Sequence, residues 1–194
     1  VYLSDHGDNT GARGLWGKST MYEESVGIPL ILRGADVPAG KEEAAAVSHI
    51  DLFNTVLDAV GVDLAHSTAS PRSQSLFRAL NPERFVLSEY HTVGSTAAVF
   101  MLQDRHTKYV HYCDAPAQLF DLVADPEEMN DVAARAQYAS HLSLWQSRLR
   151  SMCDPQDVDR RAKARQAELI ELYGGEAAIR QGQGIGGYTP SPLR

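Results

Sequence analysis

Four short segments between residues 85 and 122 constrain the fold of this chain more than any other feature. They are FVLSEY (85–90), TAAVFML (96–102), HTKYVHY (106–112) and AQLFDL (117–122). Each is rich in β-branched or aromatic residues, and the turn signal QDRH separates the second from the third. Strands so closely spaced along the sequence favour antiparallel pairing. The sequence therefore predicts a small antiparallel sheet.

The segment before these strands has a different pattern. VGIPLIL (26–32) is a continuous apolar run, which is typical of a strand buried on both faces. Pro29 removes a backbone donor and so belongs near the start of that strand or at an edge. In LFNTVLDAV (52–60) the apolar residues recur at helical spacing, and Gly61 follows as a stop. A strand followed by a helix indicates α/β organisation.

Two helices are predicted after the sheet. The first covers about 131–150, and its apolar stripe consists of Val132, Ala136, Ala139, Leu142, Trp145 and Leu149. The second begins at Asp154-Pro155 and runs to Tyr173, closed by Gly174-Gly175. The tail GQGIGGYTPSPLR has too little apolar content to fold alone. We predict four units: 1–62, the connection 63–84, 85–153, and the terminal helix and tail 154–194.

Composition excludes some classes of partner and site. A net charge of −7 and a pI near 5.4 argue against a nucleic-acid-binding surface. No stretch approaches the roughly 20 apolar residues that span a bilayer, so we expect no membrane partner. The two cysteines, Cys113 and Cys153, are expected to be free structural thiols.

The candidate chemistry lies at the front of the chain. A short apolar strand signal runs into Ser4-Asp5-His6-Gly7. On a regular strand the side chains of Asp5 and His6 would point to opposite faces, but a turn at Gly7 lets both converge on one ion. A carboxylate with an imidazole suits a divalent cation such as calcium, manganese or zinc. A purely structural turn is the alternative.

Lys18 follows Asp5 by thirteen positions, beyond a glycine-studded loop. Its setting, Gly17-Lys18-Ser19-Thr20, invites comparison with a nucleotide-binding phosphate loop. That motif requires a glycine earlier in the loop at a fixed offset, and Gly11 and Gly14 are at the wrong positions. The nucleotide interpretation is therefore disfavoured.

Two long stretches carry a family resemblance. SDHGDNTGARGLWGKSTMYEESVGIPLIL is similar to the second signature region of type I sulfatases and phosphonate monoester hydrolases, in the alkaline phosphatase superfamily. YVHYCDAPAQLFDLVADPEEMNDVA resembles the C-terminal segment of that family, and SEYHTVGS is most like choline-sulfatase-type members. The resemblance implies an α/β fold: the C-terminal part of an alkaline-phosphatase-like α/β/α sandwich plus a small α+β subdomain with an antiparallel sheet.

The same resemblance implies residue roles. Asp5 and His6 would be ligands of a divalent metal, calcium or manganese, and Lys18 would be the catalytic contact to the sulfate or phosphate oxyanion. Apart from the resemblance, His91 in Glu89-Tyr90-His91 is a candidate to line the substrate pocket if its loop faces the metal, with a polar strand end as its alternative. His49 and Asp51 are expected to cap and orient rather than catalyse.

The family nucleophile, a formylglycine made in a Cys-x-Pro-x-Arg context, is expected upstream of this chain. The nearest match here, Cys153-Asp154-Pro155, has Asp157 where arginine is required and is interpreted as a helix cap. The sequence thus predicts a fragment of a sulfuric-ester hydrolase acting on small sulfate esters, inactive alone. The alternatives are a phosphonate monoester or phosphodiester hydrolase, and a non-catalytic scaffold or assembly module. The C-terminal tail is expected to mediate homo-oligomer contacts.

Overall fold

The structure is a computed structural model that describes residues 1–35, 37–91 and 95–181. Its largest feature is a four-stranded sheet made of β3 (Val86–Tyr90), β4 (Val99–Gln103), β5 (Thr107–Tyr112) and β6 (Gln118–Asp121). The strands follow chain order, and every neighbouring pair is antiparallel. The predicted antiparallel sheet is confirmed.

The two faces of this sheet bury different partners, because side chains alternate along each strand. One face presents Phe100, Leu102 and Tyr109, which cluster with Trp145 of a later helix. The opposite face presents Val99, Met101 and Val110, which pack with Met21 near the N-terminus. The sheet is therefore the middle layer between the N-terminal segment and the C-terminal helices.

The helices after the sheet are α3 (Ala139–Met152), α4 (Pro155–Leu172) and the short α5 (Gly175–Arg180), which was not expected. The predicted start of the first helix near 131 is wrong. Asp131 accepts hydrogen bonds from the N–H groups of Leu119 and Ala133, and the N–H of Val132 bonds the carbonyl of Leu119. These bonds hold 131–133 along β6, so helical structure begins only at the 3-10 turn Ala136–Tyr138.

The predicted cap of the second helix is confirmed. The Asp154 side chain accepts a hydrogen bond from the N–H of Gln156 at 3.1 Å, directly before Pro155. Both cysteines are free thiols, as expected. Burial, together with the nearby charge of Asp159, raises the pKa of Cys113 to about 11. Among the helices of the described residues, none is long and apolar enough to cross a membrane.

The N-terminal segment contains β1 (Tyr2–Leu3), α1 (Glu23–Val26) and β2 (Leu30–Ile31). β1 and β2 pair antiparallel, and Pro29 immediately precedes β2, as expected. The expectation of a strand buried on both faces is wrong, since Ile31 is 58% exposed. Within the described residues β1 is the single neighbour of β2, and no element covers Ile31.

The predicted helix after residue 50 is α2 (Ile50–Ala59), and Gly61 after it adopts φ 76°. Its buried residues are polar: Asp51, Asn54 and Thr55. Asp51 accepts hydrogen bonds from Arg84 at 2.9 and 3.1 Å and from the N–H of Ser48 at 2.9 Å. Asp51 therefore orients the start of α2, as expected.

The structure does not test two of the sequence predictions. The division into four units stays a prediction. The tail expected to mediate oligomer contacts, 182–194, lies outside the described residues.

Candidate functional site

The turn after β1 brings the backbone of Gly7 against α1. The Gly7 N–H donates to the carbonyl of Ser25 at 2.8 Å. A Cβ at Gly7 would lie 2.1 Å from the Glu24 carbonyl oxygen, which no side chain can tolerate. Glycine at this position is therefore required for the chain to turn where Asp5 and His6 stand.

The side chains of Asp5 and Lys18 both lie close to one ring nitrogen of His6. Its Nε2 atom lies 3.5 Å from Oδ2 of Asp5 and 2.6 Å from Nζ of Lys18. The other ring nitrogen, Nδ1, lies 2.6 Å from the Gly7 carbonyl oxygen. Because a carbonyl only accepts hydrogen bonds, this contact assigns the proton to Nδ1 and leaves a lone pair on Nε2. Nε2 is thus the atom of His6 that is able to bind a cation or accept a proton.

Ser4 and His49 stabilise this turn through hydrogen bonds to its backbone. The Ser4 hydroxyl donates to the carbonyl of His6 at 2.7 Å, and Nε2 of His49 bonds the Ser4 carbonyl at 2.9 Å. His49 therefore orients the backbone that carries Asp5 and His6, in agreement with the orienting role expected for it, but its side chain makes no capping hydrogen bond to α2.

Asn9 secures the loop that presents Lys18, and the sequence reasoning missed it. Its backbone N–H and its side-chain Nδ2 both donate to the carbonyl of Gly17, at 2.8 and 2.6 Å. Thr20 Oγ1 donates to Asn9 Oδ1 at 3.3 Å, and Asn9 is 1% exposed. An asparagine in a loop with Gly7 and Gly11 two positions away on either side was the available signal, since asparagines in such loops hydrogen-bond local backbone.

The charges around Asp5 favour its ionised form. Desolvation acts to raise the pKa of Asp5, but hydrogen bonding to its own backbone and the positive charge of Lys18 outweigh it, so that the pKa is below the ordinary value. Asp5 is accordingly a carboxylate at neutral pH and offers anionic oxygen to a cation.

The donors fit part of a divalent metal site. Asp5 supplies a carboxylate and His6 supplies an imidazole whose Nδ1–H···O=C bond orients the ring, as metal-ligating histidines commonly have. In the described part of the chain no group of three or more His, Cys, Asp or Glu side chains is arranged to hold a metal. Further ligands would be needed from outside these residues.

His91 is not brought to this cluster. It contacts Glu89 at 3.3 Å, packs edge-on against Phe100, and accepts a hydrogen bond from Gln166 of α4 on its carbonyl. Its neighbour Tyr90 points to the other face and reaches Ser19, next to Lys18, at 2.9 Å. The role of His91 stays a prediction. Alternation along β3 was the signal that distinguishes the two residues.

Comparison with known proteins identifies the family. Residues 11–154 match the family described as N-sulphoglucosamine sulphohydrolase, C-terminal. Arylsulfatase K of Bos taurus is 30% identical over 200 residues, which cover 96% of this chain and 35% of that protein. Choline-sulfatase of Rhizobium meliloti (strain 1021) is 35% identical over 136 residues, covering 69% of this chain and 26% of that protein.

A solved structure extends the comparison to the fold. The structure of a 2-O GAG sulfatase superposes with a TM-score of 0.67 at 24% identity, over 83% of this chain and 36% of the other. The chain thus spans about a quarter to a third of the lengths of these proteins, 35% of the Bos taurus relative and 26% of the choline-sulfatase. It has the α/β class expected from the sequence. The family match over 144 of its residues shows that the chain belongs to the sulfatases, in the N-sulphoglucosamine sulphohydrolase C-terminal family.

Proposed function

We propose that this chain supplies the Asp-His-Lys edge of the active site of a sulfatase that hydrolyses small sulfuric esters. One observation carries the proposal: Asp5, His6 and Lys18 converge on Nε2 of His6 within 3.5 Å. A scaffold has no evident need for an exposed carboxylate, an imidazole and an ammonium group at one point. This disfavours a non-catalytic assembly module.

In this proposal Asp5 and Nε2 of His6 hold a divalent cation, calcium or manganese. Such a cation, when bound, polarises the ester and neutralises developing negative charge. Because Lys18 donates to the same nitrogen in the described state, it would release Nε2 and turn its Nζ towards the oxyanion. An ammonium group aimed there stabilises the charge that grows in the transition state.

The nucleophile, which we propose to be a formylglycine, is contributed from outside this chain. Cys153, the cysteine in the Cys-x-Pro match, is not suited to that role. It directly precedes the Asp154 cap of α4, and burial raises the pKa of its thiol. We therefore expect the 194-residue chain alone to show no sulfatase turnover. Hydrolysis of an aryl sulfate by the purified chain with added calcium or manganese would contradict this.

The test of the function uses the full-length protein that carries this chain. We expect it to hydrolyse 4-nitrophenyl sulfate, to lose turnover after treatment with a chelator, and to regain it with calcium or manganese. A phenyl phosphonate ester assayed beside it tests the runner-up function, phosphonate monoester or phosphodiester hydrolysis. Faster turnover of the phosphonate would move the assignment to that class. No turnover of either ester would contradict the proposal.

A further inference from the structure

A buried cluster of charges lies between the sheet and the loop that carries Lys18. Lys108 of β5 forms ion pairs with Glu128 and, at 3.2 Å, with Glu23 at the start of α1. The side chains of Lys108 and Glu128 are both 0% exposed. An ammonium and a carboxylate so fully removed from water require mutual pairing and further hydrogen bonds. Glu128 has one, from the N–H of Glu23 at 3.0 Å.

Arg13 extends this cluster into the loop. Its Nη2 lies 3.4 Å from Glu24 and 4.0 Å from Glu128, and its guanidinium stacks over the ring of Tyr22 at 4.2 Å. The same nitrogen donates to the carbonyl of Glu127. Arg13 lies in the middle of the loop between Asn9 and Gly17. The side chain of Asn9 donates a hydrogen bond to the carbonyl of Gly17, the residue directly before Lys18.

Arg13 and Glu128, the two residues through which the loop contacts the buried cluster, both have a backbone conformation that favours glycine. Arg13 has φ 53° and Glu128 has φ 54°, in the left-handed region that other residues seldom adopt. Such conformations persist where surrounding contacts over-determine them, and they cluster at functional sites. Here the contacts are the 4.0 Å ion pair between Arg13 and Glu128, the hydrogen bond from Arg13 to the Glu127 carbonyl and the ion pair of Glu128 with Lys108.

We propose that Glu128 and Arg13 are positioning residues for Lys18, an inference that rests on the proposed function. The sheet anchors Lys108, Lys108 anchors Glu128, and Glu128 with Glu24 anchors Arg13. Arg13 holds the loop, and Asn9 transmits its position to Gly17 and Lys18. The segment DPEEMND (125–131), which follows the last strand of the sheet in the sequence, therefore contacts the loop that carries Lys18.

Hydrogen exchange measured by mass spectrometry on this chain tests the structural half. Arg13→Gln and Glu128→Gln remove one charge each, and Glu127→Gln is the matched control because its exposed side chain is outside the cluster. We expect amides of 8–18 to exchange about tenfold faster in R13Q, with β3–β6 unchanged. E127Q should match wild type. Because E128Q removes the buried carboxylate partner of Lys108, leaves it paired with Glu23 alone among the described contacts and risks unfolding, the result for R13Q is decisive. Unchanged exchange of 8–18 in R13Q would overturn the proposal.

Kinetics of the full-length protein test the functional half. R13Q should lower kcat for an aryl sulfate about tenfold or more with KM nearly unchanged, since misplaced catalytic groups are costly. The double variant R13Q/K18M should be no slower than K18M alone, because Arg13 acts through Lys18. Losses that multiply would overturn the positioning role. Full activity of K18M would instead overturn the proposed function, whatever the exchange data show.

Discussion

The sheet and α2 are buried in opposite ways. In the sheet, Phe100 and Leu102 are fully buried, and Trp145 of α3 closes the same core at 0% exposure. In α2 the apolar residues Phe53 and Val56 are 50% and 56% exposed, whereas the polar residues face inward. The sheet region is held by apolar packing; α2 is held by a few directed hydrogen bonds.

The contrast between the two regions indicates which part of the molecule supports the candidate site. The Asp5-His6 turn leans on α1 and His49, while the loop before Lys18 connects through Arg13 to the buried Lys108–Glu128 pair. The well-packed sheet therefore supports the loop. The apolar face of α2 contributes nothing to the site among the described residues.

The largest expected effect comes from emptying the core of the sheet region. Trp145→Ala should lower the free energy of unfolding by about 3–5 kcal/mol, because it removes a fully buried aromatic side chain and leaves a cavity. Phe53→Ala on α2 should cost under about 1 kcal/mol. Urea denaturation followed by far-ultraviolet circular dichroism, which reports backbone structure, measures the free energy of unfolding of both variants. Equal losses would contradict the contrast between the regions.

A second prediction concerns the polar support of α2. Asp51→Asn removes the carboxylate that pairs with Arg84, whose side chain is itself buried, and should cost about 3 kcal/mol. We expect hydrogen exchange to rise first in 50–59 while β3–β6 stay protected. Asp58→Asn, at the exposed ion pair with Arg78, is the control and should cost far less, because an exposed pair is screened by water. Equal loss of protection in the sheet would show that the two regions unfold together.

The smallest effect is a pH dependence at the same helix. Hydrogen bonding from Arg78 lowers the pKa of Asp58 from 3.8 to about 2. A carboxyl group whose pKa is lower in the folded than in the unfolded state stabilises the fold at pH values above its unfolded pKa. That contribution is lost as the pH falls through the pKa of the folded state. The difference in melting temperature between wild type and D58N should therefore be present at pH 5 and vanish towards pH 2. A difference that is constant across this window would refute the assignment.

The sequence was informative where one physical rule decides the outcome. Short, closely spaced segments rich in β-branched and aromatic residues predicted the four strands, and Asp154-Pro155 predicted the start of α4. The start of α3 was missed because Asp131 bonds Leu119, a tertiary contact that helical periodicity does not encode. The ion pair of Lys108 with Glu128 was missed for the same reason: its partners are 20 positions apart and joined only by folding.

The site itself was predictable in part. Adjacent Asp5 and His6 before a glycine suggested convergence, and the resemblance added Lys18. The structure brings these three together. Their roles remain proposals. The supporting Asn9 and Arg13 were not found, because loop residues show their purpose only through the contacts they make.

The proposed function depends on Lys18 acting on the reacting sulfate. The most direct measurement is kcat/KM of the full-length protein for an aryl sulfate, compared between Lys18→Met and the control Lys41→Met. Lys41 is an exposed lysine paired only with Glu43 among the described contacts. We predict a loss of about 100-fold or more for K18M, as removal of an oxyanion donor causes, and wild-type activity for K41M. Equal activity of K18M and K41M would contradict the account.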